Sequence, residues 1–263
     1  MADKITFTAA GDVFMNRPLP ETGYKGLDEI SELIRGSEVR FANLETTVHD
    51  REGYPYPFSG GTWAMASPQI LEDLKKFGFN IYNAANNHSM DYSHNGLEAT
   101  IRHLKEHDIR FAGIGMNLAD AAAPVYLDCR QGRAALIAAT ATFHEAWAAG
   151  SQRMDMQGRP GVNPLRHIEK FFVTKDQIKA LRDIARGTLI DAQQELDIKE
   201  GFAVETPGSF KFAGRDFEES DKTYKQTVPD KRDMDRISAS IKEAGSQADC
   251  VLVSIHSHEL GGL

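Results

Sequence analysis

The 263-residue sequence contains few cysteines, no long apolar run and no excess of basic charge. Cys129 and Cys250 are its two cysteines, and each lies in an apolar, strand-like segment, so we expect buried thiols rather than a disulfide framework. No apolar run approaches the roughly 20 residues that a membrane helix needs, so we expect no direct insertion into a membrane. The net charge of −8 argues against nucleic acid or an anionic membrane as a partner.

The N-terminal segment, MADKITFTAAGD, lacks a basic region followed by an apolar core. It therefore does not resemble a signal peptide, and together with the cysteine usage this predicts a cytoplasmic protein. The length suits one large α/β domain or two small ones.

Apolar segments alternate with helical patterns along most of the chain. The sequence predicts strands at 4–13, 39–44, 79–85, 109–114, 124–129, 133–142 and 250–255, and helices at 27–34, 67–78, 97–107, 174–198 and 234–244. The pair 124–129 and 133–142 has the pattern of a hairpin around Gln131 and Gly132. This βα alternation predicts an α/β fold with a mostly parallel sheet covered by helices on both faces.

Residues 145–235 differ in character from the rest of the chain. They hold the helical pattern 174–198, a predicted hairpin over 202–212 that turns at Pro207-Gly208, and a charged stretch, 215–232, that we expect to be exposed. We interpret 145–235 as an insertion or cap within a single domain that covers residues 1–263.

The stretch FNIYNAANNHSMDYSHNG, residues 79–96, begins as a strand and ends in polar side chains. Asn87 and His88 follow the apolar part, and Asp91 comes three residues after His88. Open α/β sheets bind their ligands at this position, between the end of a strand and the next helix. The alternative is an ordinary turn in which Asn, Ser and Asp cap the helix.

Polar side chains end four of the predicted strands. These residues are Asp12, Glu45, Asn87 with His88, and His256 with His258. Carboxyl ends of neighbouring parallel strands lie side by side, so these groups should gather at one edge. Carboxylate, carboxamide and imidazole groups form a ligand set for Zn, Mn or Fe, and a cation would relieve the repulsion between the carboxylates. Each residue alone also fits a turn, a surface charge or a core histidine.

Two further features are open to more than one interpretation. The aromatic, turn-rich loop 49–66 either shapes the site or is a surface loop fixed by its aromatic residues. His144, which follows the strand 133–142, is a candidate to face the same edge.

Several of these motifs together resemble the CapA family, which is named for poly-γ-glutamate capsule synthesis and belongs to the calcineurin-like metallophosphoesterase superfamily. The resemblance is carried by Gly11-Asp12, Ala42-Asn43-Leu44-Glu45, Asn86-Asn87-His88 with Asp91-Tyr92, Gly113-Ile114-Gly115, the segment 159–164, and a late strand that ends in His. It spans most of the chain.

The resemblance implies a metallophosphoesterase-like four-layer α/β/β/α sandwich with a dinuclear metal centre at one edge. It implies that Asp12 binds one cation, that Glu45 bridges both, and that Asn87 binds the second. His256 and His258 would be further ligands, and His88 would be the general acid beside the substrate. The cations would be two divalent ions, Mn, Zn or Fe.

The sequence departs from the family pattern at several positions. Phe14 stands where the superfamily's Asp-x-His motif has His. Ser93 stands where the family's Asp-Tyr-Gly motif has Gly, and His256-Ser257-His258 replaces the family's His-Trp-Gly. The family's later Gly-His-x-Pro-His element lies beyond the last residue. We therefore expect a C-terminally truncated chain whose exposed apolar surface promotes self-association.

The leading functional hypothesis is metal-assisted hydrolysis of a phosphoester or related bond in a phosphorylated small molecule or a peptide or polymer substrate. His88, oriented by Asp91, would protonate the leaving oxygen. One alternative is a metal-dependent peptide epimerase or other peptide-modifying enzyme. Another is a non-catalytic component of a polymer-synthesis complex, with loop 49–66 and the insertion as contact surfaces.

Overall fold

A computed structural model describes residues 4–59, 61–204 and 209–258. The helices are α1 Leu27–Arg35, α2 Gln69–Phe77, α3 Ser93–Glu106, α4 Leu118–Ala122, α5 Lys175–Thr188, α6 Ala192–Glu200 and α7 Lys231–Gln247. The strands are β1 Phe7–Val13, β2 Val39–Leu44, β3 Thr47–Val48, β4 Met65–Ala66, β5 Ile81–Asn83, β6 Phe111–Ala112, β7 Ile114–Gly115, β8 Val125–Cys129, β9 Gly132–Thr140, β10 Gly161–Val162, β11 His167–Val173, β12 Ser209–Phe212, β13 Arg215–Glu219, β14 Tyr224–Pro229 and β15 Cys250–His256. The predicted α/β class is confirmed.

The chain groups into two compact units. One unit contains residues up to 165 and from 232 onwards, and the other contains residues 166–231. The second unit lies inside the predicted insertion 145–235. The role of that insertion as a cap on a single domain stays a prediction.

The first unit contains two larger sheets and two two-stranded ones, β3 with β4 and β7 with β10. The first sheet has the order β1-β2-β5-β6 with every pair parallel, as the βα alternation predicts. The second has the order β15-β9-β8, with β15 parallel and β8 antiparallel to β9. The predicted hairpin is confirmed, because Cys129 pairs with Gly132. The residue patterns alone indicated one sheet, so the division into two is a correction to that part of the prediction.

Side chains along β9 point alternately to the two faces of the second sheet, and each face is covered by a different part of the fold. Leu136 and Ala138 share a buried cluster with Val39 and Ile81 of the first sheet. Ile137, pointing to the opposite face, packs with α7. Helices α1, α2 and α3 cover the other face of the first sheet through a second large cluster. Each fully buried aliphatic side chain in such clusters contributes about 1.5–3 kcal/mol to folding.

Gly113 divides the predicted strand 109–114. Its φ of 99° is in the left-handed region, so β6 ends before it and β7 begins after it. A Cβ at this position would lie 2.6 Å from the Cβ of Ala85 and 3.0 Å from that of Ala138. The glycine therefore permits a close approach that any larger residue would prevent.

The second unit differs from the sequence prediction in three places. The predicted helix 174–198 is two helices, α5 and α6, because Leu189 has a φ of 54° and ends α5. The charged segment 215–232, for which the sequence predicted exposure but no strand, contains β13 and β14, whose residues are exposed or half-buried. The described hairpin joins β12 to β13 at 213–214, whereas Pro207-Gly208 lies outside the described residues.

Among the residues that the structure describes, none of the helices combines the length and the apolar character needed to cross a bilayer.

Candidate metal centre

A row of polar side chains crosses the carboxyl end of the first sheet. The parallel register places Asp12 opposite Asn43 and Asn43 opposite Asn83, on three neighbouring strands. Asn43 and Asn83 are buried, whereas the Asp12 side chain is half exposed. The sheet thus presents a carboxylate and two carboxamides at the edge where parallel sheets bind ligands.

Asn86 fixes the turn that follows β5. Its Nδ2 donates to the carbonyl oxygen of Leu44 at 2.8 Å, and its Oδ1 accepts from the backbone N–H of His88 at 3.0 Å. The Ser89 hydroxyl donates to the carbonyl of Ala84 at 2.6 Å. The alternative interpretation is therefore correct in that Asn86 and Ser89 form the turn, but α3 begins without the predicted side-chain cap. The hydrogen bonds of Asn86 and Ser89 hold Asn87 and His88 at the end of the strand.

His256 brings the second sheet to the same place. It is the last residue of β15, paired with Thr140, and it is buried. Its Nε2 lies 2.6 Å from Asn87 Oδ1 and 3.1 Å from His258 Nε2. The His258 backbone N–H donates to Thr142 Oγ1 at 2.7 Å, which fixes the chain just beyond the strand.

Glu45, His256 and His258 form a compact ligand set. One ligand atom from each lies within 4.8 Å of the others, and Glu45 Oε1 is 3.7 Å from His256 Nε2. Burial, and then the negative charge of Asp12, raise the pKa of Glu45. Burial also lowers the pKa of His256, which favours the neutral imidazole that binds metals. Two facing imidazoles beside a buried carboxylate and a carboxamide oxygen fit a divalent cation.

Asp12 lies on the other side of His256. Its Oδ1 is 3.7 Å from His256 Nδ1, and it accepts a hydrogen bond from Asn43 Nδ2 at 2.7 Å. Asn43 Nδ2 is also 3.2 Å from His256 Nδ1. Asp12 and Asn87 therefore contact opposite ring nitrogens of one histidine, and Asn43 connects Asp12 to it.

His88 and Asp91 form a buried ion pair beside this set. His88 Nδ1 is 2.7 Å from Asp91 Oδ2, which also accepts from the backbone N–H of Ala64 at 2.6 Å. Burial acts to lower the pKa of His88, but the hydrogen bond and charge of Asp91, assisted by Glu45 and the backbone of Thr62, raise it overall. Because Ala64 and Thr62 belong to loop 49–66, this loop positions the pair as well as exposing aromatic residues.

The structure thus brings together Asp12, Glu45, Asn87, His88, Asp91, His256 and His258. It does not add His144, whose Nδ1 accepts from the Ala146 N–H at 3.2 Å and whose ring stacks on Phe58. Asn43 and Asn86 are the residues that sequence reasoning missed. They lie inside the Ala-Asn-Leu-Glu and Asn-Asn-His motifs, and their position within these motifs was the available signal.

Comparison with known proteins matches residues 6–261 to the family described as bacterial capsule synthesis protein PGA_cap. The chain is 33% identical over 264 residues to the uncharacterized protein y4sH of Sinorhizobium fredii, covering 99% of this chain and 55% of that protein. It is 28% identical over 190 residues to the capsule biosynthesis protein CapA of Bacillus anthracis, covering 69% of this chain and 45% of the relative.

A shorter match is to the PGA biosynthesis protein CapA of Bacillus subtilis, at 27% identity over 124 residues, or 45% of this chain and 32% of that protein. The chain spans about half the length of the Sinorhizobium relative and less of the Bacillus proteins.

We expect Asn43→Ala to weaken the binding of Mn²⁺ about 10- to 100-fold, the usual effect of removing a group that orients metal ligands. The variant loses the carboxamide that connects Asp12 to His256. Isothermal titration calorimetry on metal-free protein measures the affinity directly, without any activity assay.

The matched control is Asn83→Ala in the same row of the sheet. Asn83 is equally buried, but its Nδ2 donates to Ser254 Oγ and its Oδ1 accepts from the Ala85 N–H, so it contacts none of the candidate ligands. We expect this variant to lose stability but keep its affinity. Equal weakening by both substitutions would contradict an orienting role for Asn43.

We also expect Asp91→Asn to lower the pKa of His88 in the metal-free protein. The substitution removes the partner that raises this pKa and leaves the burial that lowers it. Histidine NMR signals followed against pH report the change. An unchanged pKa would show that Asp91 does not stabilise the protonated ring.

Proposed function

Because the chain belongs to the bacterial capsule synthesis family PGA_cap, which is part of the metallophosphoesterase-like superfamily, we propose that it is a metal-dependent hydrolase acting on a phosphoester or related bond. The observation that carries the proposal is the set Glu45, His256 and His258, which lies beside the buried pair of His88 and Asp91. The set offers cation ligands, and the pair offers a proton donor.

The proposal includes two cation positions. Asp12 would hold one cation, Asn87, His256 and His258 the other, and Glu45 would lie between them. The contacts of Asp12 and Asn87 with opposite nitrogens of His256 support two separate positions. A bound divalent cation supplies positive charge that stabilises the charge developing on a transferring phosphoryl group.

His88 would serve as the general acid. Asp91 holds its Nδ1, and, although burial acts to lower the pKa of His88, the hydrogen bond and charge of Asp91 raise it, which favours the protonated ring. Donation of that proton to the departing oxygen prevents a high-energy alkoxide from forming. Asp91, in turn held by the Ala64 N–H, keeps the imidazole in a fixed orientation.

We place the reaction in capsule or poly-γ-glutamate biosynthesis, with a phosphorylated small molecule or a peptide or polymer as substrate. The names of the two Bacillus relatives support this assignment. The proposal extends to the four-layer α/β/β/α arrangement, which the clusters between the two sheets and on their helical faces support.

A second candidate is a non-catalytic, polymer-binding component. Loop 49–66 favours it, because Tyr54, Phe58 and Trp63 are 78%, 52% and 45% exposed. Exposed aromatic residues of this kind commonly mark contact surfaces. The two candidates differ in whether the protein turns over a substrate.

Hydrolysis of benzyl phosphate, whose leaving group is an alkoxide unless it is protonated, by Mn²⁺-loaded protein tests the proposal. We expect His88→Ala to reduce turnover by about 10²–10⁴-fold, the usual contribution of a general acid, at unchanged metal content. Elemental analysis of the same samples measures the metal. A variant that loses its metal would identify His88 as a ligand instead.

His107→Ala is the matched control. His107 comes directly after α3 and pairs with Glu72. Asp91 precedes the same helix, which is about 20 Å long, so the two residues lie at opposite ends of it. It should retain full turnover. Absence of phosphoester hydrolysis by metal-loaded protein would favour the binding role, whereas deuterium uptake at a peptide Cα would favour an epimerase.

A further inference from the structure

A mostly apolar pocket of about 460 Å³ opens beside the first strand. Its volume falls within the range of about 300–1,000 Å³ typical of small-molecule sites. The chain that follows β1 forms one wall, α1 forms another, and the residues around the end of α2 form the floor. These walls belong to one compact unit of the fold.

The walls are firmly held, although the pocket is open. Ile34 and Phe79 are buried in the main core, and Phe77 packs against Phe79. The chain after β1 is fixed by a 2.8 Å hydrogen bond from the Leu19 N–H to the buried carboxylate of Asp73. An apolar ligand would thus enter a preformed space and not have to create one.

Two apolar side chains at the pocket remain substantially exposed. Phe14 is 44% exposed and Ile30 is 45% exposed. Covering such surface is favourable by about 25 cal/mol per Å², so the pocket favours an apolar group over water.

The pocket adjoins the candidate metal centre through Phe14. This residue follows Asp12 by two positions, and its ring meets the His88 ring edge-on with centroids 5.3 Å apart. A molecule whose anionic group lies at the metal centre would therefore find an apolar surface on the His88 side, where the proposed general acid meets the leaving group.

Arg17 is the charged residue in the pocket lining. It is exposed and forms no hydrogen bond or ion pair with the described part of the chain. An unpaired guanidinium beside an apolar pocket favours ligands that carry negative charge as well as an apolar body.

We propose that this pocket binds the apolar part of the substrate, and that the substrate class is an anionic phosphoester with an aromatic or branched aliphatic group. The assignment rests on the proposed function for the position of the anionic group. The pocket itself is defined by Val13, Phe14, Ile30, Ile34, Phe77 and Phe79.

Two phosphonates, which are not hydrolysed, test the pocket separately from catalysis. Calorimetry on Mn²⁺-loaded protein compares 4-biphenylphosphonate with methylphosphonate. We expect the biphenyl compound to bind at least about 10-fold more tightly, because its rings leave water for the pocket. Ile30→Glu should remove this preference by weakening the binding of 4-biphenylphosphonate far more than that of methylphosphonate.

Leu33→Glu on the same helix is the matched control. Leu33 is 73% exposed and does not line the pocket, so this variant should keep the biphenyl preference. Arg17→Gln should weaken the binding of 4-biphenylphosphonate but not that of neutral 4-biphenylmethanol.

Equal affinity for the two phosphonates, or equal effects of Ile30→Glu and Leu33→Glu, would overturn the assignment. Concentration-dependent dimers that Ile30→Glu abolishes, seen by analytical ultracentrifugation, would also overturn it and assign the surface to a second copy of the chain. A biphenyl preference without any phosphoester hydrolysis would support the pocket while refuting the proposed reaction.

Discussion

The buried imidazole of His256 is the contact on which the candidate site depends. It ends β15 of the second sheet, yet its two nitrogens face groups of the first sheet. Asp12 of β1 and Asn43 of β2 lie on one side of the ring, and Asn87, which follows β5, lies on the other. A histidine can do this because its two nitrogens are separate hydrogen-bonding groups on one rigid ring. The packing of the two sheets, through Val39, Ile81 and Leu136 among others, sets the position of that ring.

The turns around the site serve both structure and chemistry. Asn86 closes the turn after β5 by binding the Leu44 carbonyl and the His88 N–H, and so it positions Asn87 and His88. Asp91 accepts both from the backbone of loop 49–66 and from His88. Buried polar groups of this kind must have partners to be tolerated, and here the partners are also the groups that hold candidate ligands in place.

Much of the site could be predicted from the sequence. Segments in which apolar residues alternate, separated by helical patterns, imply a sheet of parallel strands, and the carboxyl ends of such strands lie at one edge. Asp12, Glu45, Asn87 and His88 stand at or just after such ends of the first sheet, so their proximity follows from topology. His256 ends a strand of the second sheet, and its approach depends on how the two sheets pack. The functions of these residues stay proposals. Strand patterning alone does not separate Asn43 from an ordinary strand residue, because its contacts with Asp12 and His256 depend on a register that appears only when β1 and β2 are paired.

Other features required the three-dimensional structure. The break at Gly113 depends on the approach of Ala85 and Ala138, and the end of α5 depends on a left-handed Leu189 that no helix propensity predicts. In the charged strands β13 and β14, Arg215 and Lys225 pair with Glu169 of β11, which lies between them. Cross-strand charge pairs stabilise a sheet, but a sequence does not show which charges will face each other.

Metal content tests the account most directly, because the ligand set is what connects the fold to the chemistry. Elemental analysis after incubation with Mn²⁺ or Zn²⁺ should find about two metal ions per chain, as in dinuclear hydrolases, and a loss of metal in Glu45→Gln. Glu52→Gln is the control, since Glu52 pairs with Arg102 and His103 instead of the ligand set. Protein without bound metal, or a metal content that Glu45→Gln leaves unchanged, would contradict the account.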